Sequence, residues 1–186
     1  AVNGTDSEIQ VLNYLTSHDD GSPFDKERKR TMETATKLLL SPGTAQIYYG
    51  DESARNLIVE GTQGDATLRS FMNWEDIENN PETQELLKHW QKLGQFRRDH
   101  LSVGAGSHIM ISDAPYLFAR KYSNSNVSDQ VLIGLDLEAG PKELTSGDVF
   151  EDGTELRDAY SDTQTTVIGG KIQLDTPFSI VLLEKI

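Results

Sequence analysis

The first half of the 186-residue chain alternates short apolar runs with a helical pattern. A mostly apolar run over 9–15 predicts a strand, and a compact apolar run over 45–49 predicts a second strand that is covered on both faces. Between them, the segment 26–40 repeats its apolar residues with the period of a helix, and Asp25 is a suitable N-cap. Strand, helix and strand in this order predict a βαβ unit with parallel strands.

Two helical faces follow from the spacing of the apolar residues. The first helix is expected to bury Met32, Ala35, Leu38 and Leu39. After a long polar loop, Asn80-Pro81 opens a second helix, because proline suits the first position of a helix. Its apolar stripe consists of Leu86, Leu87, Trp90, Leu93 and Phe96.

The pattern changes after Gly104-Ala105-Gly106 to short segments that are rich in β-branched and aromatic residues. Turn residues separate these segments, which is typical of an antiparallel sandwich. The predicted strands lie near 107–112, 116–122, 130–137, 156–160, 165–168, 171–175 and 178–184. The chain is therefore expected to contain two domains, an α/β part over 1–104 and an all-β part over 105–186.

Composition narrows the class of partner. The net charge is −13, and both halves are acidic, so neither has the basic surface expected for binding nucleic acid or a membrane surface. No apolar run approaches the length of a membrane span. A neutral polymer such as a glycan would not be repelled. The chain has no cysteine, so its fold does not depend on disulfides.

Polar residues follow both predicted strands of the first half. His18 and Asp19 come after the first strand, and Asp51 and Glu52 come after the second. The carboxyl ends of parallel strands are where α/β barrels build their sites, although acids in loops are more often simply solvated. Asp51 and Glu52 either join such a site or satisfy loop amides. Trp74 either lines a cleft or fixes its loop.

The remaining histidines are His89, His100 and His108. None of them has the spacing to acidic residues that a metal site needs, so all three are expected at the surface.

An ordered set of motifs resembles the alpha-amylase superfamily of glycoside hydrolases. Ser17-His18-Asp19 is similar to its Asn-His-Asp motif after the seventh strand, and 42–52 is similar to its Pro-Gly-x-x-x-Ile-Tyr-Tyr-Gly-Asp/Glu-Glu strand. The segment 69–74 resembles Arg-x-Pro-Met-x-Trp, and 93–97 resembles the Leu-x-x-x-Arg of the eighth helix. The segments 116–137 and 177–183 resemble the C-terminal sandwich. The resemblance is greatest to secreted or periplasmic bacterial alpha-amylases.

The resemblance implies a fold of the α/β plus all-β class. Residues 1–104 would be the last βα units of a (β/α)8 TIM barrel, and 105–186 would be the antiparallel β-sandwich that follows it. The partners would be an α-1,4-glucan substrate and the remainder of the catalytic barrel. Asp19 would be the catalytic residue that stabilises the transition state, and His18 would bind the substrate.

The family's nucleophile and general acid lie upstream of these motifs, and so do its usual calcium ligands. No cofactor is therefore expected in this chain, and calcium in the parent enzyme would use residues that are not present here. The chain alone is expected to be inactive, while the parent would be a secreted or periplasmic retaining glycosidase.

The chain departs from the family pattern at three positions. Ser17 and Asp136 stand where asparagine is usual, and Phe71 stands where proline is usual. Two other functions remain open. One is a non-catalytic structural or glycan-binding module, and the other is a chain that completes a barrel in trans. The sandwich has no tryptophan, which weighs against a glycan-binding platform in it.

Overall fold

The computed structural model describes residues 11–186. Within them, the chain divides into two compact units, one ending at Gln95 and the other running from Phe96 to Ile186. The units divide between Gln95 and Phe96, whereas the sequence predicts a domain boundary at 104/105, which falls in the short helix Leu101–Ala105.

The helices are α1 (Thr31–Leu40), α2 (Trp74–Asn79), α3 (Pro81–Asp99) and α4 (Leu101–Ala105), with a 3-10 helix at Gly64–Arg69. The strands are β1 (Leu12–Tyr14), β2 (Thr44–Gln46), β3 (Ser107–Asp113), β4 (Tyr116–Ser123), β5 (Ser128–Leu135), β6 (Gly140–Thr145), β7 (Glu155–Asp158), β8 (Thr163–Thr166), β9 (Lys171–Thr176) and β10 (Val181–Lys185). None of the helices in this described part of the chain is long and apolar enough to cross a membrane.

The first unit contains a parallel pair of strands. β1 and β2 pair in parallel, with Leu12 opposite Thr44 and Tyr14 opposite Gln46. The predicted parallel arrangement is confirmed, but both strands are shorter than predicted. The first two positions of the segment 9–15 lie outside the described residues.

The parallel pair and the residues just after β2 leave apolar side chains in contact with solvent. Leu12, Tyr14, Ile47 and Tyr49 are each between 43 and 53% exposed. The prediction that 45–49 is covered on both faces is therefore wrong. The reason is that, among the described residues, the sheet has only two strands, so it lacks the neighbours that would cover it.

Helix α1 begins five residues later than predicted, at Thr31. Asp25 nevertheless accepts backbone hydrogen bonds, from Lys29 N at 3.0 Å and Arg30 N at 2.8 Å. The Asp25 carboxylate therefore organises the turn before the helix rather than capping its first residues. Ala35, Leu38 and Leu39 are buried as predicted. Met32 is exposed, which corrects the prediction for that residue.

Helix α3 begins at Pro81, as the sequence predicts. Asn80 Oδ1 accepts a hydrogen bond from Glu82 N at 2.9 Å, which satisfies a backbone donor of the first turn. The stripe is buried at Leu86, Trp90, Leu93 and Phe96, and Leu87 is half-buried.

The second unit is built from antiparallel sheets. One sheet has six strands in the order β3-β4-β5-β10-β7-β8, and the other pairs β6 with β9. Residues 107–186 form strands and turns, as predicted, although β6 was not among the predicted strands. Side chains from both sheets share one hydrophobic core, which includes Leu117, Leu132, Leu144, Leu156, Ile172, Leu174, Val181 and Leu183.

The difference in burial predicts a difference in local stability. In a monomer at low micromolar concentration, we expect amides of β1 and β2 to exchange with deuterium on the order of 100-fold faster than amides of β5 and β10. The buried strands β5 and β10 open only with their whole core, whereas the two-stranded sheet has open edges. Hydrogen exchange with mass spectrometry measures this. Equal protection of both sheets in a proven monomer would contradict the expectation.

Candidate active site

The loop after β1 carries the two residues that the sequence singles out. Leu15 and Thr16 are buried, and the chain then turns outward. Phe24 N donates to Leu15 O at 3.1 Å and closes this loop on itself. Within it, Ser22 N donates to Asp20 Oδ1 at 2.9 Å. The loop is therefore compact although most of its residues face solvent.

His18 and Asp19 lie side by side in this loop. His18 Nε2 is 3.6 Å from Asp19 Oδ2, and their side chains are 67% and 62% exposed. Ser17 Oγ donates to Asp19 Oδ1 at 2.9 Å. An exposed pair of this kind adds little stability, because water screens it. An imidazole and a carboxylate in this position are free to meet a ligand.

Arg69, the last residue of the 3-10 helix, ties the backbone of this loop to that helix. Its Nε donates to His18 O at 3.0 Å. A charge-assisted bond of this kind fixes the carbonyl without using the imidazole of His18.

Behind the loop lies a buried carboxylate, Asp51. It accepts hydrogen bonds from Thr16 Oγ1 at 2.7 and 2.9 Å. Arg28 Nη2 donates to Asp51 Oδ1 at 2.8 Å, and both side chains of this ion pair are almost completely buried. A buried charge without such partners would cost several kcal/mol, so each of these groups requires the other. Asp51 thus joins the end of β1 to the segment before α1.

Arg55, four residues after Asp51 in the chain, is fully buried. Its guanidinium donates to the carbonyls of Tyr49 at 3.0 Å, Leu68 at 3.1 Å and Ser70 at 3.2 Å. Its carbonyl accepts from Arg28 Nε at 2.9 Å. Because arginine has five donors in a fixed plane, this one side chain holds three carbonyls from two backbone segments, one at Tyr49 and the other at 68–70.

The arginine also packs against an aromatic ring. The guanidinium carbon of Arg55 lies 3.9 Å from the centroid of the Tyr49 ring, which is a favourable cation–π distance. We call Thr16, Arg28, Asp51 and Arg55 the buried polar network.

Asp51 and Glu52 are expected either to join the site or to satisfy loop amides, and the structure gives the two residues different surroundings. Asp51 accepts hydrogen bonds from side chains rather than from loop amides. Glu52 is half-buried, and its Oε2 has no hydrogen-bond partner among the described residues. Neither residue is exposed in the way that His18 and Asp19 are.

Two tyrosines after β2 donate hydrogen bonds from their hydroxyls to backbone carbonyls, whereas Trp74 is mostly exposed. Tyr48 donates from its hydroxyl to Leu68 O at 3.2 Å, and Tyr49 donates to Ser70 O at 2.9 Å. These tyrosines therefore fix the loop. Trp74 is 66% exposed, and its two alternatives, lining a cleft or fixing its loop, stay predictions.

The prediction for the other histidines is wrong for His89. This residue is buried, and its Nε2 lies 2.9 Å from Thr36 Oγ1 and 3.1 Å from Met32 O. Burial lowers the pKa of His89 below its ordinary value. The sequence held a signal for this, because His89 falls on the same helical face as Leu86 and Leu93.

His100 is also partly buried, between two acids of the second unit. Its Nδ1 lies 2.9 Å from Asp129 Oδ1, and its Nε2 lies 2.6 Å from Glu184 Oε2. Burial alone would raise the pKa of Asp129, but hydrogen bonds from His100 and Ser102 bring it below its ordinary value. Within residues 11–186, no group of three or more histidine or acidic side chains is arranged to hold a metal ion.

Comparison with known proteins identifies relatives in sequence and in fold. The periplasmic alpha-amylase of Escherichia coli K12 is 37% identical over 120 residues, which are 64% of this chain and 17% of the relative. The chain is similar to the C-terminal portion of alpha-amylase family enzymes. The alpha-amylase resemblance drawn from the motifs is thereby confirmed. No protein-family model matches the chain.

Solved alpha-amylases share the fold. An Anoxybacillus alpha-amylase matches with a TM-score of 0.63 at 23% identity. The match includes 94% of this chain and 38% of the Anoxybacillus enzyme. The alpha-amylase of Geobacillus thermoleovorans, solved with acarbose, matches with a TM-score of 0.65 at 20% identity. This match includes 95% of this chain and 39% of the Geobacillus enzyme. The chain thus spans well under half the length of the alpha-amylases that it matches.

The close packing around Arg55 predicts the effect of one glycine. Gly50 has φ +82°, and an added Cβ would come within 2.5 Å of Arg55 Cβ and Nε. We expect Gly50→Ala to destabilise the first unit by about 1–3 kcal/mol more than a matched control, because Arg55 must move.

The matched control is Gly61→Ala. Gly61 has a similar φ of +78°, but no atom lies within 4 Å of the added Cβ. Urea unfolding followed by tryptophan fluorescence measures the difference, since Trp74 and Trp90 both lie in this unit. Equal losses in the two variants would show that the close packing of Arg55 against Gly50 does not contribute to stability.

Proposed function

We propose that this chain is the C-terminal part of an alpha-amylase-type retaining glycosidase that hydrolyses α-1,4-glucans. The observation that carries the proposal is the exposed His18–Asp19 pair at the end of a strand of a parallel pair, in a chain similar to a periplasmic alpha-amylase. Two solved relatives are complexes of a protein named AmyP, with maltose and with maltotriose, which supports an oligosaccharide of glucose as the ligand.

The proposed fold supplies the neighbouring strands that the two-stranded sheet of the first unit lacks among the described residues. β1 and β2 would be the seventh and eighth strands of a (β/α)8 barrel over 1–104, and the sheets of 105–186 would be the sandwich that follows it. The exposed apolar side chains of Leu12 and Ile47 support this, since the packed interior of a closed barrel and its outer ring of helices would cover the faces of its strands. The remainder of the barrel would supply the other strands.

Asp19 would act on the transition state. Cleavage of an α-glucosidic bond develops positive charge near the ring oxygen of the sugar, and a carboxylate fixed beside it lowers the barrier. The Ser17 hydroxyl orients Asp19 and leaves its second oxygen directed toward His18 and solvent. Asp19 would also accept hydrogen bonds from sugar hydroxyls.

His18 would bind the same sugar. Its imidazole is exposed, while its carbonyl is held by Arg69, so the ring can donate to a sugar hydroxyl without loss of the loop conformation. Neither residue can replace the pair of carboxyl groups about 5 Å apart that retaining hydrolysis requires. Those groups would belong to the remainder of the barrel, as would any calcium ligands.

The compartment of the parent enzyme would be extracellular or periplasmic. The E. coli relative is named for the periplasm, and the motifs of this chain resemble those of secreted and periplasmic enzymes.

The chain alone is expected to release no reducing sugar from starch or maltooligosaccharides. The reason is that Asp19 stabilises charge but neither attacks the anomeric carbon nor protonates the leaving oxygen. A reducing-sugar assay against a buffer blank measures this. Release that disappears in Asp19→Asn would show that the chain holds a complete catalytic site.

In the intact enzyme, Asp19→Asn should lower kcat by about 10²–10³-fold while KM changes little, because its contact strengthens in the transition state. Asparagine keeps the shape and the hydrogen bond from Ser17. Asp20→Asn is the matched control, since Asp20 lies in the same loop and its Oδ1 can still accept from Ser22 N. Near-normal kcat in Asp19→Asn, or equal losses in both variants, would contradict the role of Asp19.

A further inference from the structure

Phe71 is the most exposed large apolar side chain among the described residues, at 98%. Burying a phenylalanine is worth roughly 1.5–3 kcal/mol, so a fully solvated ring forgoes that stabilisation. Trp74, three residues later, is also exposed. Two exposed rings so close together in the chain distinguish this segment from the scattered apolar residues of ordinary surfaces.

The backbone before Phe71 is fixed. Ser70 O accepts from Arg55 Nη1 at 3.2 Å and from the Tyr49 hydroxyl at 2.9 Å. Ser70 Oγ donates to Asn56 O at 2.6 Å. The residue next to Phe71 is therefore attached to the buried polar network.

The backbone after Phe71 is fixed as well. Asn73 Nδ2 donates to Ser53 O at 2.8 Å, and Ser53 Oγ donates to Asn73 Oδ1 at 2.7 Å. Phe71 thus lies in a span of two residues between two anchors. Because the backbone on both sides of Phe71 is already anchored, it does not have to be ordered when a ligand stacks on the ring, which lowers the entropic cost of binding.

The same segment touches the His18 loop. Arg69 holds His18 O, and Phe71 follows Arg69 by two residues, so their Cα atoms are at most about 7 Å apart. Phe71 therefore lies two residues along the chain from the side chain that contacts the His18 loop.

We propose that Phe71, together with Trp74, forms a stacking platform for a glucose ring of the α-glucan, next to the sugar that His18 and Asp19 hold. This inference rests on the proposed function. The ligand would be neutral, which suits a chain with a net charge of −13, and the apolar C–H face of a pyranose fits the face of an aromatic ring. The alpha-amylase pattern has proline at this position, so the platform distinguishes this chain from that pattern.

The test compares variants of the intact enzyme on maltotriose and maltoheptaose. Phe71→Ala should raise KM for maltoheptaose about tenfold, with a smaller change for maltotriose, because the longer chain reaches the platform. Phe71→Tyr should keep the native KM, whereas Phe71→Leu should behave like alanine, since leucine is apolar but has no flat ring. Ile168→Ala is the control, an exposed apolar residue of the second unit.

The outcomes separate this inference from the proposed function. Native hydrolysis of maltoheptaose that Asp19→Asn abolishes but Phe71→Ala leaves unchanged would overturn the platform alone. A lower melting temperature of unliganded Phe71→Ala, with unchanged KM, would also overturn it, because Phe71 would then pack against protein. No hydrolysis of either oligosaccharide by the intact enzyme would overturn both.

Discussion

The buried guanidinium of Arg55 is the interaction on which the first unit depends. It holds the carbonyls of Tyr49, Leu68 and Ser70, and its own carbonyl is held by Arg28. Asp51 balances the charge of Arg28 and reaches Thr16 at the end of β1. Since a buried charge without partners is strongly destabilising, these segments keep one arrangement or lose it together.

This arrangement separates the groups that hold the loops from the groups that can meet a ligand. The network is buried, with Arg28 paired to Asp51 and Arg55 held by backbone carbonyls, whereas His18 and Asp19 keep most of their surface in solvent. A site that must stabilise developing charge needs its carboxylate fixed before the ligand arrives. The loop meets that condition through Arg69 and Ser17, which leave one oxygen of Asp19 and the imidazole of His18 uncommitted to the fold.

Local signals in the sequence predict the elements that depend on local chemistry. Pro81 marks the start of α3, because the fixed φ of proline and its missing donor suit that position alone. The strand bounds and the exposed Met32 could not be predicted in the same way, since they depend on which segments cover them. Asp136 also follows from local chemistry. It has φ +56°, a backbone conformation that aspartate and asparagine both tolerate, so aspartate in place of the family's usual asparagine changes the stability little.

The candidate site was predictable only in part, for a physical reason. The motif around His18 and Asp19 places two polar residues after a strand, and their exposure agrees with that position. Arg28 and Arg55 look like ordinary surface charges in a sequence, because nothing local tells a buried arginine from a solvated one. What distinguishes Arg55 is the set of carbonyls that converge on it from Tyr49, Leu68 and Ser70. Convergence of distant segments is a property of the folded chain, and the anchored backbone just before Phe71 follows from it.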